Sequence, residues 1–388
     1  MSVIDSVRVY VIDANLDAEA KWAGGSLPGG IATRVSYYAA LLSVLAPPDV
    51  EVEVWAPATI DVSRLVACAA WRPPTMCVGT PPAADLVWAP RSAKAANDRR
   101  LARLIARELA EGSSSGLSTG GASTGVASMG AALTGASSIA LDVAVSSSVI
   151  ATVDELVAWT ARGGRWVAKA PWTTAGRDRC HGEGTPSGEQ RTRIARLLEK
   201  FGALVVEPWL DRVFDVGLCA RVDEFRERPS STGREVHATE SAMAHDATTA
   251  TETTPTTNHS ARDFYVTTSD AHSLITDARG TFLGIDLAPP ALEAHERTQL
   301  GVTARTVGAR LAAMGFRGPF AIDAFVYRDA RGTRRLHALC EINARTTFGH
   351  VARAFGARGF TRLGFGAPPE AATVLVRPAD DGVTAWIA

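Results

Sequence analysis

Lysine is almost absent from this chain. Of its 388 residues only four are lysine (Lys21, Lys94, Lys169 and Lys200), against 36 arginines. A generic positive charge is written Arg here, so a lysine inside an apolar strand calls for a chemical reason. Net charge is equally scarce: 40 basic and 41 acidic residues leave −1 at neutral pH. That balance removes the electrostatic case for a nucleic-acid or anionic-membrane partner. No apolar run approaches the roughly 20 residues of a membrane helix. The opening stretch carries Asp5 and no basic leader, so a soluble cytoplasmic protein is expected. The five cysteines (Cys68, Cys77, Cys180, Cys219, Cys340) never form a CxxC pair, which points to reduced thiols and not to a zinc or disulfide framework. No Gly-x-Gly-x-x-Gly follows the first strand-like run; Ala14-Asn15-Leu16-Asp17 stands there, which excludes a NAD-type dinucleotide site. No Ser-His-Asp or Cys-His arrangement supplies a protein nucleophile. With 46% hydrophobic and 21% charged residues, the chain has enough apolar material for two or three folded domains.

Strand-like and helix-like segments alternate at the start. Val7–Asp13 and Val50–Pro57 are β-branched runs, Ile31–Leu45 has helical apolar spacing after Pro28-Gly29-Gly30, and Asp85–Pro90 is a third short run. This rhythm predicts a small open α/β domain over residues 1–95. Gly29-Gly30 reads either as a turn before a helix or as an anion-binding helix start. A basic amphipathic helix is expected over Ala93–Ala110.

Two stretches break the pattern. In Gly112–Ser138, 23 of 27 residues are Gly, Ser, Ala or Thr, and Pro229–Ser260 is rich in Thr, Ser and His. Both are expected to be flexible insertions, too poor in apolar surface to offset the entropy of ordering. His237, His245 and His259 in the second lack metal-ligand spacing. Between them the sequence predicts a helix over Val153–Ala161 with Thr152 as N-cap, a strand Arg165–Ala170, a basic helix Glu189–Phe201 and a strand Ala203–Pro208. Strands Asp263–Thr267 and Thr281–Asp286 follow, then a helix Glu293–Met314. A hairpin Phe320–Tyr327/Leu336–Ile342 turns at Gly332, and a helical tail covers Ala352–Gly364.

Four elements carry chemistry. Lys169, in Trp166-Val167-Ala168-Lys169-Ala170, shares a strand face with Val167, and its ammonium is a compact charge suited to phosphate oxygens. The loop after it, Trp172–Arg179, has two hydroxyls (Thr173, Thr174), Gly176 and Arg177, small enough for backbone amides to approach an anion. A strand ending in Glu207-Pro208 must leave its sheet, so Trp209-Leu210 reads as a crossover offering main-chain groups to a purine, with Asp215 downstream for ribose hydroxyls; a structural hinge explains the same residues. The fourth element is Asp323 with Glu341-x-Asn343-x-Arg345. Period two puts Glu341, Asn343 and Arg345 on one face, where Asp323 on the hairpin partner joins them. Two carboxylates and an amide oxygen form a hard-oxygen set that suits Mg²⁺.

In this order the elements resemble the ATP-grasp superfamily of carboxylate ligases. The resemblance covers Ser148–Gly349, and the N-terminal domain looks like the pre-ATP-grasp domain of that family. It implies a fold of class α/β and α+β, an N-terminal open α/β domain followed by a two-lobed ATP-grasp fold. The implied division is residues 1–95, a helix and linker over 96–147, a central lid over 148–208, and a C-terminal subdomain over 209–388 holding the insertion 229–260. It further implies ATP and Mg²⁺ (or Mn²⁺) as cofactors, with Lys169 on the α/β phosphates and Thr173–Arg177 over the β/γ phosphates. Glu207, Trp209 and Leu210 would meet adenine and Asp215 the ribose. Asp323, Glu341 and Asn343 would hold the metal, and Arg345, with Lys169 a catalytic residue, would take the acceptor carboxylate. The family's second phosphate-binding cation would be Lys94 or Arg91, and His350 either lines the acceptor pocket or is a plain loop residue. The implied activity is attack of a carboxylate on the γ-phosphate, then amide formation with an amine or, less often, capture by a thiol. The substrates would be small-molecule or peptide carboxylates and amines. A non-catalytic ATP-binding module of the same fold is the alternative, and a homodimer is left open.

Overall fold

The computed structural model describes residues 8–115, 147–172, 178–224, 264–277 and 280–388. Most of both low-complexity stretches and the segment 173–177 lie outside these residues, as do His237, His245 and His259.

Three sheets organise the described chain. The first is parallel, in the order β3-β2-β1-β4, from β1 (Val9–Asp13), β2 (Glu51–Ala56), β3 (Thr75–Val78) and β4 (Leu86–Val87). Between β1 and β2 lie α1 (Ala18–Trp22) and α2 (Gly29–Ala39), the latter tightening into a 3₁₀ turn over Ala40–Leu45. Gly29-Gly30 is simply the first turn of α2. The loops after β1 and β4 meet at the carboxyl end of this sheet, where open parallel sheets place their crevices. Asn15 fastens them: its Nδ2 donates to Ala89 O at 2.8 Å and its Oδ1 accepts from Ala89 N at 3.0 Å.

The second sheet is antiparallel, β5-β8-β6-β7, and forms the central lobe. Its strands are β5 (Ser148–Ile150), β6 (Arg165–Lys169), β7 (Arg179–Glu183) and β8 (Leu204–Pro208), backed by α4 (Val153–Thr160) and α5 (Gly188–Phe201). Both helices start with reciprocal capping boxes, Thr152 with Glu155 and Ser187 with Gln190, each satisfying two otherwise orphaned donors. Gly202, at φ +74°, closes α5 in the left-handed region. Trp166, Ala168, Leu156, Ile194 and Val206 pack between sheet and helices. Gly182 lies flat beneath the Trp166 indole, where a Cβ would come within 2.2 Å of the ring.

The third sheet has eight strands in the order β13-β12-β9-β10-β11-β14-β16-β15. They are β9 (Asp211–Glu224), β10 (Phe264–Thr276), β11 (Phe282–Asp286), β12 (Gly318–Arg328), β13 (Arg334–Asn343), β14 (Arg362–Phe365), β15 (Thr373–Val376) and β16 (Ala385–Ile387). One face buries Val216, Leu218, Phe320, Ile322 and Val326 against Leu300, Val307 and Leu311 of α6 (Ala294–Ala313) and Ile105 of α3 (Arg99–Ser115). Strict alternation turns Asp215, Cys219, Asp323, Glu341 and Asn343 to the other face. Helix α7 (Phe348–Gly356) and β14–β16 share a core with the first domain through Val351, Phe355, Leu375 and Ile387. Each half therefore stabilises the other.

The fold class expected from the sequence is the one observed, with four local corrections. The helix expected over Ala93–Ala110 begins only at Arg99, after a 3₁₀ turn at Arg91–Ala93. The expected Asp263–Thr267 strand runs on to Thr276, because β9 pairs with it as far as Leu274, across a bulge after Thr268, and β11 pairs with its end from Ser273. The tail over Ala352–Gly364 is not one helix. Phe348–Gly356 is helical, but Gly359 takes φ +93° and Arg362–Phe365 pairs with β11 as a strand. Finally, the crossover after Pro208 is short and has one main-chain donor engaged: Trp209 N donates to Arg165 O at 2.9 Å, and the chain enters β9 at Asp211.

Candidate active site

The central lobe and the third sheet face each other across a cleft lined by β6, β8, β9, β12 and β13. Lys169 ends β6 there. Its Nζ donates to Glu207 Oε2 at 2.6 Å, and both side chains are only about one-seventh exposed, 14% and 15%. Burial disfavours charge on Lys169, while Cys340 and the Glu207 carboxylate favour it, and the net is a raised pKa. Burial likewise works against charge on Glu207, but Lys169 outweighs it and holds the carboxyl below its usual range. The pair is ionic at neutral pH.

Opposite Lys169, β13 carries a bulge. Between the register pairs Asp323–Glu341 and Phe325–His337, β12 spends one residue and β13 spends three. Ala338 and Leu339 in consequence both enter the core beneath the sheet, and Cys340 is aimed into the cleft, its Sγ 4.0 Å from Lys169 Nζ. The bulge also sets Glu341 directly across from Asp323. Burial first, and the Glu341 carboxylate second, push Asp323 up to about 7. Asn343 Nδ2 donates to Asp323 Oδ2 at 3.1 Å, and Asn343 Oδ1 accepts from Arg345 Nη2 at 2.9 Å. Asp323, Glu341, Asn343 and Arg345 are thus brought together. The donor set fits a hard divalent cation: two adjacent carboxylates in a low-dielectric site repel each other, and an amide oxygen has a second lone pair beyond the one given to Arg345. Among the described residues no group of three or more His, Cys, Asp or Glu could hold a metal; a third protein oxygen for an ion at Asp323 and Glu341 would be the Asn343 amide.

Arg345 is not an open fork. Its Nε donates to Glu19 Oε1 of α1 at 3.1 Å, its Nη1 to Thr346 O at 3.3 Å, and its guanidinium lies 5.2 Å from the Trp88 ring centre. It therefore joins the N-terminal domain to the cation set.

The sequence pointed to Lys94 or Arg91 for a second cation; the buried cation that reaches both Ala170, just after β6, and Glu341 is Arg99. Arg91 and Lys94 are exposed, and the Lys94 ammonium sits 5.1 Å from the Trp172 ring centre. Arg99 is buried. Its Nη1 donates to Ala170 O at 2.8 Å and its Nη2 to Glu341 Oε1 at 3.0 Å. Burial disfavours its charge, yet Glu341 and Glu19 more than restore it, so its pKa is raised. One guanidinium therefore spans from the strand of Lys169 to a candidate metal ligand.

At the other end of the cleft Arg212 pairs with Asp215 Oδ1 at 2.7 Å and lies 4.1 Å over the Phe325 ring and 5.5 Å from that of Trp209. Asp215 Oδ2 accepts from Thr276 Oγ1 at 3.0 Å. Leu210 packs with Phe325, Tyr327 and Cys340 as a small apolar floor. Thr173, Thr174, Gly176 and Arg177 lie outside the described residues. His350 sits in the cap of α7, its Nδ1 3.0 Å from Thr347 Oγ1. Nothing local marks Arg99 or Glu19 in the sequence, since their partners Glu341 and Arg345 lie 242 and 326 residues away, whereas Arg212 pairs with Asp215 three residues on.

Buried histidines give a stability prediction. Burial lowers His272 to about 3 and His337 and His350 to about 4. The unfolded chain takes up three protons near pH 6.5 that the folded chain refuses, while Asp323 retains one that the unfolded chain releases. Three outweigh one. Stability is expected to be full above about pH 6.5 and to fall by roughly 2 kcal/mol per pH unit between pH 6 and 5. Urea midpoints across that window test this, and a flat profile contradicts it.

No protein-family model and no curated protein matches the chain. Among solved structures it is similar to N5-carboxyaminoimidazole ribonucleotide synthetase from Thermus thermophilus, at 11% identity and a TM-score of 0.46, covering 98% of this chain and 93% of that one. It is also similar to the Staphylococcus aureus N5-carboxyaminoimidazole synthetase complexed with ADP, at 10% identity and TM-score 0.42, over 87% and 70% of the two chains. Biotin carboxylase from Campylobacter jejuni is a third, at 11% identity and TM-score 0.41, over 89% and 67%. Among the described residues no helix is long and apolar enough to cross a membrane.

Proposed function

We propose that this chain is an ATP-dependent ligase of the ATP-grasp type, which activates a carboxylate as an acyl phosphate and joins it to an amine. One observation carries the reading. Arg99 touches Ala170 O and Glu341 Oε1 at once, so two largely buried cations, Lys169 and Arg99, stand beside the strand bearing Glu341 and Asn343, the charge arrangement a polyphosphate and its counter-ion call for. Asp323, Glu341 and Asn343 would hold a divalent cation, which would supply charge neutralisation for the transferred group. Lys169 and Arg99 bind the phosphates, and the apolar floor at Leu210, Phe325 and Tyr327 takes the purine with Trp209 and Glu207 at its edge.

In the reaction a carboxylate oxygen attacks the γ-phosphorus, the bond to the β-phosphate oxygen breaks and ADP leaves. The amine then attacks the acyl carbon, loses a proton and expels phosphate. The chain's contribution is alignment and electrostatic complementarity, with no covalent step on the protein. Because Arg345 is engaged by Glu19 and Asn343, its role is to orient the cation set and to offer its remaining N–H groups to the carboxylate.

The test is ADP release from Mg-ATP in the presence of pooled carboxylates and amines, with calorimetric binding of ADP alongside. Release that requires both Mg²⁺ and a carboxylate is expected. Nucleotide binding with no release in any pool favours the non-catalytic module, and no nucleotide binding at all overturns the reading.

A further inference from the structure

Asn343 and Arg345 flank a residue that the β13 ladder no longer holds. Arg345 N donates to Asn343 O at 2.8 Å, which makes Asn343–Arg345 a three-residue turn centred on Ala344. Such a turn leaves the central peptide groups pointing outward, and Ala344 is fully buried. A single side chain meets both of them. Asn97 Oδ1 accepts from Ala344 N at 2.9 Å, and Asn97 Nδ2 lies 3.4 Å from Ala344 O while donating to Ala93 O at 2.7 Å. Asn97 is itself 7% exposed.

We infer that Asn97 is a positioning residue for the cation site: by holding both polar groups of Ala344 it fixes the tight turn that aims the Asn343 amide at Asp323 and the Arg345 guanidinium at Glu19. The inference rests on Asp323, Glu341 and Asn343 being cation ligands, as proposed above. Chemistry explains the residue type. The position needs one acceptor for Ala344 N–H and one donor between two carbonyls, and an amide of this length has both. Aspartate would set a second oxygen against Ala93 O and Ala344 O. Leucine matches the shape and leaves two buried main-chain groups unpaired. The same short segment brings Arg99 to Glu341 two residues later, so Asn97 and Arg99 settle opposite ends of one ligand set.

The experiment uses the full chain with Mn²⁺ as probe, its binding followed by electron paramagnetic resonance in saturating ADP, with ADP affinity measured separately in the absence of divalent ions. Asn97→Leu and Asn97→Asp are each expected to weaken Mn²⁺ binding about 10–100-fold, the usual cost of losing an outer-shell partner. ADP affinity without metal should stay within two-fold of the unsubstituted chain. Val307→Ala, a truncation in the core under the sheet, controls for destabilisation and should leave Mn²⁺ affinity unchanged. Asn97→Asp keeps the Ala344 acceptor and so reports even if Asn97→Leu fails to fold. Mn²⁺ affinity within two-fold of the unsubstituted chain in both variants, or an equal loss in Val307→Ala, overturns the inference alone. Failure of the unsubstituted chain to bind Mn²⁺ with ADP removes the ligand set itself, and this inference with it.

Discussion

Lys169→Met combined with Glu207→Gln is expected to cut nucleotide turnover about 1,000-fold while leaving the fold intact. A unit charge about 4 Å from a phosphate oxygen is worth about 4 kcal/mol at an effective dielectric of 20, which is that factor in rate or affinity. The pair must be changed together. Removing Lys169 alone would strand the Glu207 carboxylate, 15% exposed, and an uncompensated buried charge costs about 3–5 kcal/mol of stability by itself. Neutralising both separates the phosphate role from that penalty. Turnover and ADP affinity within ten-fold of the parent in a folded double variant would mean that Lys169 serves only Glu207.

The largest stability effect is expected at Trp166→Ala. The indole is 1% exposed and forms the centre of a central-lobe core built from few other large side chains, chiefly Leu156, Ile194 and Leu204. Truncation should cost about 3–5 kcal/mol. Its Nε1 also donates to Gly184 O at 2.9 Å, and Gly182, with no side chain, cannot fill the vacated space. Because this core is separate from the one under α6, the loss should fall on the central lobe. Hydrogen exchange should rise across β5–β8 and α4–α5 and stay low in α6 and β12. A uniform rise throughout the chain would instead mean that the lobes unfold as one unit.

The parts of the site legible in the sequence share one property: their geometry follows from local periodicity. Glu341, Asn343 and Arg345 alternate along one strand, and a hairpin with an obvious turn brings Asp323 beside them. Lys169 stands out because lysine is rare here. Arg99 does not, since it is one arginine among 36 and only its contacts with Ala170 and Glu341 distinguish it. Glu207 draws notice for its main chain and not its side chain, because Glu-Pro announces a strand end but not the ion pair across to β6. The β13 bulge also escapes, since Ala338-Leu339-Cys340 carries no glycine to mark it. The tail misleads where two apolar clusters, Val351–Phe355 and Leu363–Phe365, look like one period. What the sequence conceals is what tertiary pairing decides.

The two pins on the connecting segment divide it unequally. Ala89 is held to the loop after β1 by Asn15, whereas Ala93 and Ala96 are buried beneath the large sheet and Asn97 and Arg99 reach the turn and ligand beyond it. A graft of a different N-terminal half onto this protein should therefore be spliced near Pro90 and Arg91, which keeps Ala93, Ala96, Asn97 and Arg99 with the large sheet and leaves the graft to rebuild the Glu19–Arg345 pair and the core shared through Val351 and Phe355. Cutting after residue 95 would carry Ala93, a hydrogen-bond partner of Asn97, away with the N-terminal half.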